Sequence, residues 1–203
     1  MRREHTTPQH GGVLPPGYTQ LEYIQSTGTQ YIELDMSAPQ GFTCYTKFAY
    51  TSTQSNKYIV GNGNATSPYE RNSVQCNAQF KWMLGLGDTY PSGSNISVNT
   101  IYDIHASTIP TNSYLDINGT RTITSSDNTG RTLANLYLLW DNWSKANNGA
   151  KTSGKIYNLF VYTSAKSISL VPAIRIADSK PGLYDTTNDV FYTNAGTGEF
   201  LYA

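Results

Sequence analysis

Charge is the first thing this sequence lacks. Lys and Arg number 14, Asp and Glu also 14, and together they make up only 14% of the chain. Without a basic surplus there is no electrostatic footprint for nucleic acid, whose phosphates demand one. No run of eighteen apolar residues occurs, so no helix is expected to span a membrane. The opening dozen residues, Met1 to Gly12, hold no apolar segment of the signal-peptide kind, so synthesis and residence in the cytoplasm of the producing cell are expected. Cys44 and Cys76 are the only cysteines; in a reducing compartment they are expected as free thiols, and two alone cannot build a zinc site. Histidine is as scarce: His5 and His10 fall in the polar opening stretch, and His105 falls in a strand pattern where a packed or surface role is expected. No Gly-rich phosphate loop or metal-ligand spacing appears, so no cofactor is expected.

What the chain does have is tyrosine and glycine, 16 and 17 of them, with abundant Thr, Ser and Asn. Tyr and Thr suit pleated, half-buried surfaces, while Gly, Asn and Ser make the turns between them. Residues 1–17 are polar and broken by Pro8, Gly11, Gly12, Pro15 and Pro16, which predicts an extended or disordered arm. Order is expected from Tyr18 to the end as one domain. Tyr31 and Glu33 alternate with Ile32 and Leu34, which assigns the two pairs to opposite faces of a strand. Further strands are expected at residues 42–50, at 57–60 ended by Gly61 and Gly63, at 73–79 and 80–86, and at 100–109. Asn118-Gly119 is the strongest hairpin signal, between strands at 113–117 and 120–123. Residues 133–140 are the most apolar run and predict a central strand. Residues 154–162 and 169–176 follow, the latter with Pro172 read as marking an edge or a bulge. About a dozen short strands at spacings of roughly 8–12 residues, with no convincing helix, predict an all-β, two-sheet sandwich.

Residues 181–200 close the chain. Leu183-Tyr184 and Val190-Phe191-Tyr192 are β-prone, and Asp185-Thr186-Thr187-Asn188-Asp189 between them is a cluster of turn-formers. Asn194-Ala195-Gly196-Thr197-Gly198 then breaks the pattern. A hairpin followed by a loop is predicted, and a lone hairpin is marginal unless it joins an existing sheet.

The two ends carry a family resemblance. Leu14-Pro15-Pro16-Gly17-Tyr18-Thr19-Gln20-Leu21-Glu22-Tyr23-Ile24, with Ser26-Thr27-Gly28-Thr29-Gln30-Tyr31-Ile32, resembles the opening of a widespread group of phage and prophage structural proteins. Val171-Pro172-Ala173, Gly182-Leu183-Tyr184-Asp185 and Phe191 to Gly198 resemble their C-termini. Tyr114 to Thr120 and Gly154 to Tyr162 resemble a hairpin and strand of laminin-G-like domains. The resemblance spans nearly everything from Leu14 to Phe200. It implies a concanavalin A-like lectin/glucanase jelly roll, two curved antiparallel sheets with a concave face often used for binding, preceded here by the arm. In such folds the chain ends lie together, so residues 21–32 and 182–200 are expected to pair or pack. It also implies a virion structural protein, a capsid or tail decoration or fibre, whose arm docks on other virion proteins and which assembles as a homo-oligomer.

Chemistry on this fold would be glycoside hydrolysis, which needs two spaced carboxylates. The glucanases of this fold carry Glu-x-Asp-x-x-Glu on one strand; here only Glu33-Leu34-Asp35 matches, with no second Glu, and the chain has five glutamates in all. An endoglycanase is therefore the least favoured reading, and no catalytic residue is expected. Glycan binding fits better, because sugars stack on aromatic rings while amides and carboxylates meet their hydroxyls. Trp140-Asp141-Asn142-Trp143 places that chemistry in one stretch. The competing explanation is that Trp140 ends a core strand and Trp143 packs over a sheet edge. Oxygen ligands around Asp141 and Asn142 are too few to assign calcium. Two settings for a glycan-binding jelly roll follow: a virion, or a bacterial surface adhesion module.

Overall fold

The computed structural model describes residues 14–64, 70–126, 135–140 and 151–203. Among these residues the chain forms seventeen strands and no helix. In order they are β1 Tyr18–Gln20, β2 Ile24–Thr27, β3 Ile32–Ser37, β4 Thr43–Tyr50, β5 Lys57–Asn64 and β6 Glu70–Cys76. Then come β7 Lys81–Leu86, β8 Ser92–Asn95, β9 Tyr102–Ser107, β10 Ser113–Ile117, β11 Thr120–Ser125 and β12 Asn135–Leu138. The last are β13 Ser153–Tyr162, β14 Ser167–Arg175, β15 Lys180–Asp185, β16 Val190–Thr193 and β17 Leu201–Tyr202.

Two antiparallel sheets face each other. Six strands make one, in the order β3-β12-β5-β6-β7-β8; eleven make the other, with the path β11-β10-β9-β4-β13-β14-β15-β16 and β1, β2 and β17 attached to it. This is the concanavalin A-like jelly-roll sandwich. Period-2 alternation builds it: along β3, Ile32, Leu34 and Met36 are buried while Glu33 and Asp35 are exposed. The inward faces supply one continuous core, which includes Trp82, Leu84 and Leu86 of β7 and Phe48, Ile104 and Leu115 of the larger sheet. Cys44 and Cys76 are free and buried, and burial pushes the Cys44 thiol up to about 12.

Several local expectations hold. Asn118 and Gly119 both take positive φ (51° and 76°), the geometry that a two-residue turn needs between β10 and β11. β15 and β16 pair as the closing hairpin, with Leu183 opposite Tyr192 and Tyr184 opposite Phe191. The ends do meet: Tyr202 pairs with Ile24, Ala195 N–H donates to Tyr31 O (2.9 Å), and Thr197 N–H donates to Thr29 O (3.2 Å).

Others need correction. Gly61 and Gly63 do not end a strand, because β5 runs on to Asn64. A Cβ on Gly61 would lie 2.5 Å from Asn72 O, so only glycine lets β6 approach this closely. Pro172 is neither at an edge nor in a bulge: β14 lies between β13 and β15 and pairs with β15 without a register shift. Its carbonyl accepts Leu21 N–H (2.9 Å), so its backbone polar side faces the end of β1, where the missing donor costs no bond to β15. Leu14 packs with Tyr18 and Phe191 on Val171, Ala173 and Tyr184, on the outer side of the larger sheet. Residues 1–13 of the expected arm lie outside the described residues.

The closing hairpin depends on Asp185, which is wholly buried. Its carboxylate accepts Ser169 N–H (3.0 Å), Thr187 N–H (3.0 Å) and Asn188 Nδ2–H (2.7 Å). Removing it leaves the buried Ser169 N–H without an acceptor, at about 1–3 kcal/mol. Asp185→Ala is therefore expected to lower the urea midpoint by an amount corresponding to that loss, with the slope of the transition unchanged.

Candidate functional site

The outer face of the six-stranded sheet collects side chains suited to ligand binding. One row of facing residues crosses five strands: Glu33 on β3, Tyr137 on β12, Gly61 on β5, Ser73 on β6 and Gly85 on β7. The row starts with a carboxylate and an aromatic ring and then drops to small residues. A Cβ on Gly85 would meet Ser73 Oγ at 2.3 Å and Arg71 Cδ at 2.5 Å, so the Arg71 side chain lies directly over that low floor. Its guanidinium sits 4.7 Å from the centre of the Tyr90 ring and 5.9 Å from that of Tyr58.

At the other end of the row stands an aromatic trio. The Trp140 ring lies 4.5 Å from Tyr31, tilted by 37°, and 4.8 Å from Tyr137, edge-on at 88°. A backbone irregularity brings Trp140 there. Leu138 and Leu139 are both buried in the core, which strict alternation forbids, and Leu139 takes φ 62° to allow it. A left-handed Leu costs about 1–2 kcal/mol, held here by Leu139 N–H to Ile59 O (2.9 Å) and Thr152 N–H to Leu139 O (2.8 Å). After that reversal Trp140 pairs with Lys151 and its ring swings onto the outer face. Lys151 Nζ lies 5.5 Å from the Tyr31 ring centre and 6.0 Å from that of Trp140.

Polar groups frame the trio. Glu33 is exposed, and its Oε1 accepts Tyr137 O–H (3.0 Å) and Asn135 Nδ2–H (3.3 Å). Tyr31 and Tyr137 are half-buried, each leaving part of its ring to solvent. Trp140 is only 5% exposed, so it supports the platform rather than forming its open surface. Asp141, Asn142 and Trp143 lie outside the described residues. Tyr31, Tyr137, Glu33 and Lys151 were not picked out as site residues from the sequence. Their signal was present in part, since the alternation of Tyr31 and Glu33 with Ile32 and Leu34 already set both on one face.

The two carboxylates of the Glu-x-Asp pair have separate partners. Glu33 is engaged by Tyr137 and Asn135, and Asp35 faces Lys166, with Nζ to Oδ2 at 3.4 Å. His105 is half-buried on the outer face of the larger sheet. Its ring stacks on Tyr45 (3.9 Å, 14°), Nε2 lies 2.7 Å from Tyr114 Oη, and Nδ1 lies 3.6 Å from Asp116, which pairs with Arg121.

Comparison with protein-family models and with curated proteins found no match. Among solved structures, the chain is similar to a heptameric SAP-like pentraxin from Limulus polyphemus, at a TM-score of 0.56 and 12% identity, covering 92% of this chain and 94% of that one. It is also similar to a Bacteroides ovatus protein named as a candidate carbohydrate binder, at a TM-score of 0.56 and 11% identity. That match covers 91% of this chain but only 60% of the other. At such identities the likeness is one of fold.

Burial first, and the hydrogen bond to Glu33 second, push the Tyr137 hydroxyl up to about 12. The fold thus favours neutral Tyr137. Its contribution to stability is complete below the ordinary tyrosine value of 10.0 and is lost as pH rises toward about 12. In a tyrosinate absorbance titration, the difference between wild type and Tyr137→Phe is expected to be one late-ionising group. Glu33→Gln, which removes the charge that opposes ionisation, is expected to move that group to lower pH.

Proposed function

We propose that this protein is a non-catalytic glycan-binding module whose ligand rests on the outer face of the six-stranded sheet at Tyr31 and Tyr137, with Trp140 beneath them. The observation that carries the reading is the platform itself. Two half-exposed tyrosines backed by a tryptophan stand beside a carboxylate, an amide and an ammonium group. A sugar presents apolar C–H patches and a rim of hydroxyls, which match rings and polar groups respectively. The patches stack on Tyr31 and Tyr137, while hydroxyls donate to Glu33 and accept from Asn135 and Lys151. The fold shared with a candidate carbohydrate binder supports the same reading.

Virion attachment belongs to this proposal as its setting. The end motifs resemble those of phage structural proteins, and the arm is the segment that would anchor the domain to other virion proteins and leave the jelly roll outside. Leu14 packs on the sheet, so within this sequence residues 1–13 are the part of the arm proposed as the anchor.

The discriminating variants are Tyr31→Ala and Tyr137→Ala, because Trp140→Ala would also cut into buried packing. Each is expected to weaken retention on a glycan array by about tenfold, equivalent to about 1.4 kcal/mol, while circular dichroism stays that of the wild type. A wild-type protein that retains no glycan would overturn the reading. For the setting, removing residues 1–13 is expected to leave a folded domain that no longer joins virions; unchanged incorporation would exclude the arm as anchor.

A further inference from the structure

A cleft opens beside the aromatic platform, where the edges of the two sheets meet. β16, at the end of the larger sheet's path, runs next to β3 of the smaller one. The loop after β16 folds back over the start of β3, and the space beneath it, open to solvent on one side, is about 140 Å³. Lys180, Thr193, Asn194, Gly196 and Glu199 are among the residues lining it.

The cleft and the platform are linked through the backbone and ring of Tyr31. Asn194 Oδ1 accepts the backbone N–H of Tyr31 (3.1 Å), and Ala195 N–H donates to Tyr31 O (2.9 Å). Gly196 lies against the Tyr31 ring: a Cβ there would sit 3.0 Å from Cδ1, so the bare glycine keeps the passage between ring and cleft low. On its other side the same ring meets Trp140. Tyr31 therefore touches two residues that line the cleft, Asn194 and Gly196, as well as the Trp140 ring of the platform.

Lining chemistry narrows the ligand. Asn194 is committed to the loop, since its Oδ1 also takes Gly196 N–H (2.8 Å) and its Nδ2 donates to Gly198 O (2.8 Å). The groups left to meet a ligand are the Thr193 hydroxyl, the Lys180 ammonium and the Glu199 carboxylate. Lys180 and Glu199 are exposed, form no salt bridge among the described residues, and cancel in charge. One cation and one anion together suit a neutral group that both donates and accepts, such as a sugar ring bearing hydroxyls, better than an acidic or a basic group. The platform has room for one such ring, its two tyrosine centres being 6.3 Å apart.

Building on the glycan reading above, we infer that the cleft is a second subsite, and that the ligand is a neutral oligosaccharide that crosses Tyr31 with one ring on the platform and the next in the cleft. Calorimetric titration tests it, with gluco-, galacto-, manno- and N-acetylglucosamine saccharides of one to four residues. In the series that binds wild type, affinity is expected to rise at least about tenfold from one residue to three. The double variant Lys180→Ala/Glu199→Ala is expected to keep monosaccharide affinity and lose that rise, with its urea transition unchanged. Binding that does not strengthen with length, or that strengthens equally in the double variant, overturns the subsite and leaves the platform standing. If no series binds wild type, the platform reading falls and the subsite with it.

Discussion

The carboxamide of Asn194 makes three hydrogen bonds, and through them the last loop of the chain is fixed to the first strand of the smaller sheet. Oδ1 holds Tyr31 N–H and Gly196 N–H, and Nδ2 holds Gly198 O. A neighbouring amide completes the join, as Gln30 Nε2–H donates to Glu199 O (3.0 Å) while its Oε1 accepts Thr27 N–H (2.8 Å). In a sandwich the two sheets are held mainly by side-chain packing, which sets separation but tolerates sliding. Here directional bonds run from the C-terminal loop to the start of β3. They fix where Tyr31 stands, and the platform and the cleft are both measured from that ring.

The second organising constraint is close backbone approach. Gly61 and Gly85 face Ser73 across neighbouring strands, and side chains there would collide with β6 or with Arg71. Keeping the middle of the outer face low leaves Tyr137 and Tyr31 standing above it at one end and the Arg71–Tyr90 pair at the other. The left-handed Leu139 adds local strain to the same region, a cost that the flanking bonds to Ile59 and Thr152 offset. Glycines and one reversed residue thus shape a surface that the aromatic residues alone would not produce.

Much of the fold was legible in the sequence because alternation and turn chemistry are local. The faces of β3, the Asn118-Gly119 turn and the closing hairpin all follow from a few neighbouring residues. What escaped was set by partners distant in the chain. β8, Ser-Gly-Ser-Asn, has no apolar residue to mark it and exists because β7 offers it an edge. Gly61 and Gly63 read as a stop until β6 is placed beside them. Pro172 reads as an edge until Leu21 is seen to take its carbonyl. Of the aromatic trio, Trp140 alone stood out in the sequence, while the rings open to solvent are those of Tyr31 and Tyr137. Those rings lie more than a hundred residues apart, and no local pattern joins them.

Pro172 also decides how far β1 extends. The chain pairs with β14 through Gln20, gives one last bond from Leu21 to the proline carbonyl, and then leaves to form β2 beside β13. Mechanically this makes β1 a short, separate tether. Tension on the chain ahead of Leu14 is carried first by the three paired residues of β1, the Ile176 N–H to Gly17 O bond and the aromatic contacts of Tyr18. β2, held between β13 and β17, is engaged only after these give way. The chain therefore lengthens by a few residues before force reaches β2.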